Sequence, residues 1–245
     1  ALKIADDSTG DVTIILADGS ENVLKSGVKC AGLQKNGEYT ADLGMLTIKG
    51  GELGTGKLTA TGGVNGAGIG GGFSHSSNIT ISGGIVTAQG GYDPNVKNDN
   101  TAGIGNGGAQ KNGTHITIEG NANVTAKAGR MGAGIGGHEA EDIIIRGNAI
   151  VDAYGSKNYA GIGSYLNNPT ITIEGNVKVT ATAGSFAAAI GCSGDYYATS
   201  IITINGGMII VSSESGVGIY GGGSGSQDAL IIDHCTRTIT AYGEY

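Results

Sequence analysis

The chain has 245 residues, enough for one large all-β domain or two small ones. Its 49 glycines do not recur at every third position and only two prolines accompany them, which excludes collagen. A net charge of −7 with no Lys/Arg cluster argues against a nucleic-acid partner, and no apolar run nears the roughly 20 residues that span a bilayer, so membrane insertion is not expected.

Hydrophobic residues make up 39% of the chain, with Ile and Val ahead of Leu and no Trp, a balance that favours strands. Residues 1–30 carry the strand-like "DVTIIL" and then "LADGSENVLKSG", and read as an N-terminal coil or cap. Because the opening is already strand-like, the chain reads as a mature or trimmed fragment.

A recurring motif begins weakly at 31–36 with "AGLQKN". The next element, "LTIKGG" at 46–51, starts a second motif, and "LTA" at 58–60 starts a third. All three then return in order. "AGIGGG" at 67–72 is followed by "ITISGG" at 79–84 and "VTA" at 86–88. "AGIGNG" at 102–107 leads to "ITIEGN" at 116–121 and "VTA" at 124–126. "AGIGGH" at 133–138 leads to "IIIRGN" at 143–148 and "VDA" at 151–153. "AGIGSY" at 160–165 leads to "ITIEGN" at 171–176 and "VTA" at 179–181. "AAIGCS" at 188–193 leads to "ITINGG" at 202–207 and "IVS" at 210–212. "VGIYGG" at 217–222 leads to "LIIDHC" at 230–235 and "ITA" at 239–241, with 236–245 as the closing strand.

Self-similarity at 20–50 residues marks stacked repeats. Three short strands per unit cannot bury a core alone, but winding them places each strand on its counterpart in the next unit. The expectation is one domain over 1–245, a single parallel β-helix of about seven coils with three short strands per coil. At roughly 4.8 Å per coil the rod is about 34 Å long. The alternation of AGIG places Ala and Ile inward and its glycines on the outer side or at corners. A phosphate loop does not fit, since these strings lack the Lys and the helix a nucleotide site needs.

Outward threonines should form ladders: Thr47, Thr80, Thr117, Thr172 and Thr203 on one face, interrupted by Ile144. On the other, Thr59, Thr87, Thr125, Thr180 and Thr240 are interrupted by Asp152 and Val211. Irregular neighbours, among them Lys49, Glu119 and Arg146, argue against a flat ice-binding plane. The loop after AGIG carries Phe73 and His75, then His138, then Tyr165, then Tyr196 and Tyr197. Stacked coils would align these on one edge, where aromatic faces suit the C–H faces of sugar rings, although corner packing would use the same residues.

The longest insert, "YDPNVKNDNT" at 92–101, puts Asp93, Asn95, Asn98 and Asp99 on a short loop of hard oxygen donors, a possible calcium site; ordinary turn chemistry explains the same composition. "HEAED" at 138–142 is a second acidic cluster and is not a zinc-peptidase motif. Arg130, in a loop near those acids, is the one candidate base for lyase chemistry. Asp152 and Asp195 are carboxylates with nothing to pair them. Cys30, Cys192 and Cys235 are too few and too scattered for a disulfide framework or a zinc site.

The opening "VTIILADGSENVL" and the run "AGLQKNGEYTADLGMLTIKGGELGTGKLTATGGVNGAGIGGG" resemble the extracellular "carbohydrate-binding domain" right-handed β-helix proteins of Gram-positive, mostly anaerobic bacteria. The resemblance extends over essentially the whole chain. It implies a pectate-lyase-like β-helix, a secreted or cell-surface location and polysaccharide binding, with bound calcium in some members. It carries no individual binding residue across. The expected function is a non-catalytic polysaccharide-binding or adhesive module. The alternatives are a polysaccharide lyase or glycoside hydrolase, and a structural stalk or self-assembling surface protein.

Overall fold

The computed structural model describes residues 1–4, 10–35, 44–73, 75, 77–96, 100–108, 114–138, 140, 142–165, 168–192, 200–221, 229–232 and 239–243. Every strand pairing named below is parallel, and among the described residues every regular element is a strand. No helix long and apolar enough to cross a membrane occurs among the described residues.

The chain winds as a right-handed parallel β-helix, and the three sequence motifs become three columns of stacked strands. The AGIG column is an eight-stranded sheet that runs from Leu2–Lys3 to Ile219–Tyr220 in strict chain order. The ITI and VTA columns lie side by side. They are separate short strands in the early rungs but fuse into the single strands Thr170–Ala183 and Ile201–Ser213 later on. The N-terminal residues supply a full rung, because Leu2–Lys3, Val12–Leu16 and Glu21–Lys25 pair with Leu33–Gln34, Leu46–Gly50 and Lys57–Thr61.

Register follows the motifs. Ile79, Ile116, Ile143, Ile171 and Ile202 stack in one inward row, and Val86, Val124, Val151 and Val179 in another, all at most 2% exposed. Fully burying one such side chain is worth about 1.5–3 kcal/mol, so these rows dominate the stability of the rod. The threonine ladder on the ITI face holds as expected, with Thr13 added at its start. On the VTA face one rung differs: Thr180 pairs with Ile210, not Val211, and Ile210 pairs with Thr240. The turn before it is one residue shorter, with Gly207 where the previous rung has Asn176 and Val177, so the motif boundary moves by one and the faces exchange.

The AGIG glycines are not on the outer side, although the positive φ at the second of each fits the corner, the other place expected. They are buried. A side chain on the first glycine, at Gly68, Gly103, Gly134 or Gly161, would strike the backbone just beyond the alanine of a VTA strand, at Gln89, Lys127, Tyr154 or Thr182. The second, at Gly70, Gly105, Gly136, Gly163 and Gly191, has φ between +117° and +145°. This backbone is not extended strand. It curls, so that Ala67 N–H donates to the Gly71 carbonyl at 3.0 Å and Ala102 N–H to that of Asn106 at 3.2 Å. Each AGIG segment is therefore an arch with its Ile in the core, and the loops entering and leaving it converge on one edge.

Candidate functional site

The convergence builds an aromatic edge. Phe73 pairs in register with Gly107, which leaves one rung bare before His138 and Tyr165. The His138 and Tyr165 rings lie 5.5 Å apart. Tyr159, from the loop entering the same arch, stacks on Tyr165 at 4.8 Å. Tyr159 is buried and its hydroxyl donates to Asn100 Oδ1 at 3.3 Å. Burial, reinforced by Tyr165, pushes its phenol up to about 12. One face of Tyr165 is thus already occupied by protein. Phe73 is 40% exposed, with Lys29 Nζ 5.1 Å from its ring centre. His75 is half-buried and forms a bridge to Gly107. Tyr196 and Tyr197 lie outside the described residues.

The insert at 92–101 shows turn chemistry in its described part. Asp93 Oδ1 accepts from Asn95 N–H at 2.8 Å and from Asn95 Nδ2 at 3.1 Å. Asn98 and Asp99 lie outside the described residues. No cluster of three or more His, Cys, Asp or Glu side chains that could hold a metal occurs among the described residues. Two of the acids near Arg130, Glu139 and Glu141, lie outside the described residues. The Arg130 guanidinium donates to the Pro94 and Val96 carbonyls at 2.8 and 3.0 Å, so it staples the neighbouring rung's insert. Asp195 and Cys235 are also outside the described residues. The Cys30 thiol is half-buried and that of Cys192 is buried.

A second site lies on the opposite side of the VTA column, at the glycine corner that joins ITI to VTA. The residue after each ITI strand points outward, and the next turn brings glycine into the left-handed region, as at Gly147 with φ +80°. With no side chains at these glycines, an open groove of about 600 Å³ runs across consecutive rungs. Its wall is the column Ser82, Glu119, Arg146, Glu174 and Asn205, and its floor is Gly120, Gly147 and Gly175. A smaller hollow of about 300 Å³ shares Ser82 and extends the depression to Lys49 and Glu52. Inside the groove Arg146 Nε and Nη2 both reach Glu119 Oε2, at 2.8 and 2.7 Å. That bond fixes the guanidinium on one side, with Glu174 on the next rung.

The same outer face carries a pair that the motif reading passed over. His115 Nδ1 lies 2.9 Å from Asp142 Oδ2, and both side chains are roughly half exposed. His115 and Glu119 share one strand face, four residues and about 13 Å apart, as do Asp142 and Arg146 on the next rung. The signal was available: the residue just before each ITI motif reads Asn78, His115, Asp142, Thr170 and Ile201 when the repeats are stacked.

A family model described as a β-helix repeat matches residues 79–108, 116–137 and 171–194. Each match begins at an ITI strand and ends just past an AGIG arch, so its unit is one whole turn of this rod. Searches of curated proteins and of solved structures each found no match.

Proposed function

We propose that this chain is a non-catalytic polysaccharide-binding or adhesive module that works outside the cell. The observation that carries the reading is the groove. It crosses at least five rungs in a straight line, has a bare glycine floor, and repeats hydrogen-bonding side chains at the strand spacing of about 4.8 Å. An extended polymer with hydroxyls along its length can meet a new rung with each step, and weak contacts then add along the rod. Carboxylate, guanidinium, amide and hydroxyl groups all bond sugar hydroxyls, and charged partners make the stronger bonds.

The test is a pull-down against soluble and insoluble polysaccharides, run with calcium and with chelator, followed by assay of the supernatant for new sugar ends or unsaturated product. Binding without product, weakened in the double variant Glu119→Ala with Arg146→Ala, is the expected result. A calcium requirement that Asp93→Ala removes would place the metal in the 92–101 insert. No binding to any polymer overturns the proposal and leaves a structural stalk or self-assembling surface protein. The His115–Asp142 pair favours one second reading, a polysaccharide lyase or glycoside hydrolase using that face. Product release that His115→Ala abolishes would establish it.

A further inference from the structure

Among the described residues, four other than glycine have a left-handed backbone: Lys29, Asn65, Asn158 and Phe186, with φ of 66°, 63°, 64° and 62°. All four occupy one position of the repeat, two residues before the first residue of an AGIG-type arch, at Ala31, Ala67, Ala160 and Ala188. Asparagine suits that position, because its short amide tolerates the left-handed region. Lys29 reaches back over Phe73. Phe186 has neither advantage. It is 73% exposed, against 62% for Tyr92 and 40% for Phe73. The fold gains nothing from it: the backbone is strained and the ring stays in water.

The loop beneath the ring is nevertheless held firmly. Asn158 N–H donates to the Ser185 carbonyl at 3.0 Å from one neighbouring rung. Ser213 Oγ donates to the Ala187 carbonyl at 2.8 Å from the other. Ala187, Ala188 and Ala189 are buried, which anchors the chain on its inner side. Exposed polar groups flank the ring on both rungs, Lys157 and Asn158 on one side and Glu214 and Ser215 on the other.

We infer that Phe186 is a stacking platform for a pyranose ring of an uncharged glycan. A strained residue that the surrounding structure holds in place is the usual sign of a functional constraint. A rigid aromatic face offers the C–H side of a sugar its apolar contact, and the polar rim meets its hydroxyls. Lys157 and Glu214 cancel in charge, so the rim does not select an anionic polymer. The site lies on the arch edge, apart from the groove, and the inference rests on the glycan-binding reading above.

The experiment uses the intact chain and affinity electrophoresis in soluble β-glucan, xylan and mannan, with polygalacturonate as the charged comparator. Phe186→Asn installs the residue that Asn65 and Asn158 already use, so it keeps the backbone and the fold. It is expected to weaken binding about tenfold, the effect of removing an aromatic anchor. Phe186→Tyr keeps the ring and is expected to bind like the parent. Parent and Phe186→Asn binding alike would overturn this inference and leave the groove reading intact. A parent that binds no polysaccharide would overturn both. Preference for polygalacturonate would overturn the uncharged class. A parent dimer on sedimentation that Phe186→Asn converts to monomer would overturn the glycan assignment in favour of a second copy of the chain.

Discussion

Substituting Gly163 by alanine tests the arch directly. Gly163 has φ +145°, where an L-residue is strained, and its added Cβ would overlap the Gly191 carbonyl oxygen of the next rung. Backbone strain of this kind costs roughly 1–3 kcal/mol. The overlap is with backbone, which cannot swing aside as a side chain can, and overpacking a dense interior costs about 1–3 kcal/mol more. The expected loss is therefore about 2–6 kcal/mol, a large share of the 5–15 kcal/mol or so that holds a typical domain. Urea unfolding followed by far-ultraviolet circular dichroism measures it. Because each rung touches only its neighbours, the transition is also expected to broaden or split. Gly27→Ala is the control: its φ is not in the left-handed region and nothing lies within 4 Å of the new methyl, so stability should hold or rise by up to about 1 kcal/mol. If Gly163→Ala unfolds within about 0.5 kcal/mol of the parent, the account of the arch is wrong.

Three further outcomes are expected. Asp18 accepts the Leu53 and Thr55 N–H groups at 2.9 and 3.0 Å, which holds its carboxyl below the ordinary 3.8. A depressed folded value means the contribution is complete above pH 3.8 and lost as pH falls through the lower value; Asp18→Asn should melt earlier at neutral pH, with the gap closing on acidification below 3.8 in thermal melts. Tyr159 has the opposite sign: its phenol is raised from 10.0 to about 12, so its contribution is complete below pH 10.0 and lost as pH rises towards 12. Ultraviolet titration should show a late tyrosine component that Tyr159→Phe removes, and that variant should lose less stability over the same interval. Arg146→Ala should leave thermal stability within about 1 kcal/mol, because its ion pair with Glu119 is partly exposed and screened by solvent, while polysaccharide retention falls; a loss of stability several times larger would make the pair structural.

Most of the fold was legible because inward positions repeat. A column of Ile on Ile is dictated by packing, and the same packing sets register, so aligning the ITI and VTA strings located the strands in nearly every rung. The exception at Ile210 came from Gly207, which shortens one turn without disturbing the letters on either side. The AGIG glycines were placed only in part, rightly at corners but not on the outer side, for a different reason. Strict alternation describes an extended strand, and only the φ values reveal that these segments curl and need glycine inside. The sites were less legible. Arg130 is near the acids in sequence, but hydrogen bonding commits it to the carbonyls of another rung. His115 and Asp142 are distant in sequence and meet only because the rungs stack.

In a stacked rod, then, function is best sought where a column breaks its own rule. An inward column tolerates little change, since each member packs on two copies of itself. An outward column answers to solvent, and threonine or asparagine satisfies it. Against that background Glu119, Arg146 and Glu174 replace the small Ser82 and Asn205 in the groove wall, and His115 with Asp142 replaces Asn78 and Thr170. Phe186 departs furthest, placing an exposed ring where two other rungs have asparagine. Each departure costs the rod or leaves it unimproved: charges must be paired, and a phenylalanine is strained. Phe186→Asn should therefore raise the unfolding free energy by a few tenths to about 1 kcal/mol, relieving the left-handed strain. Stability and glycan retention should move in opposite directions on that one substitution. A purely structural residue would move them together.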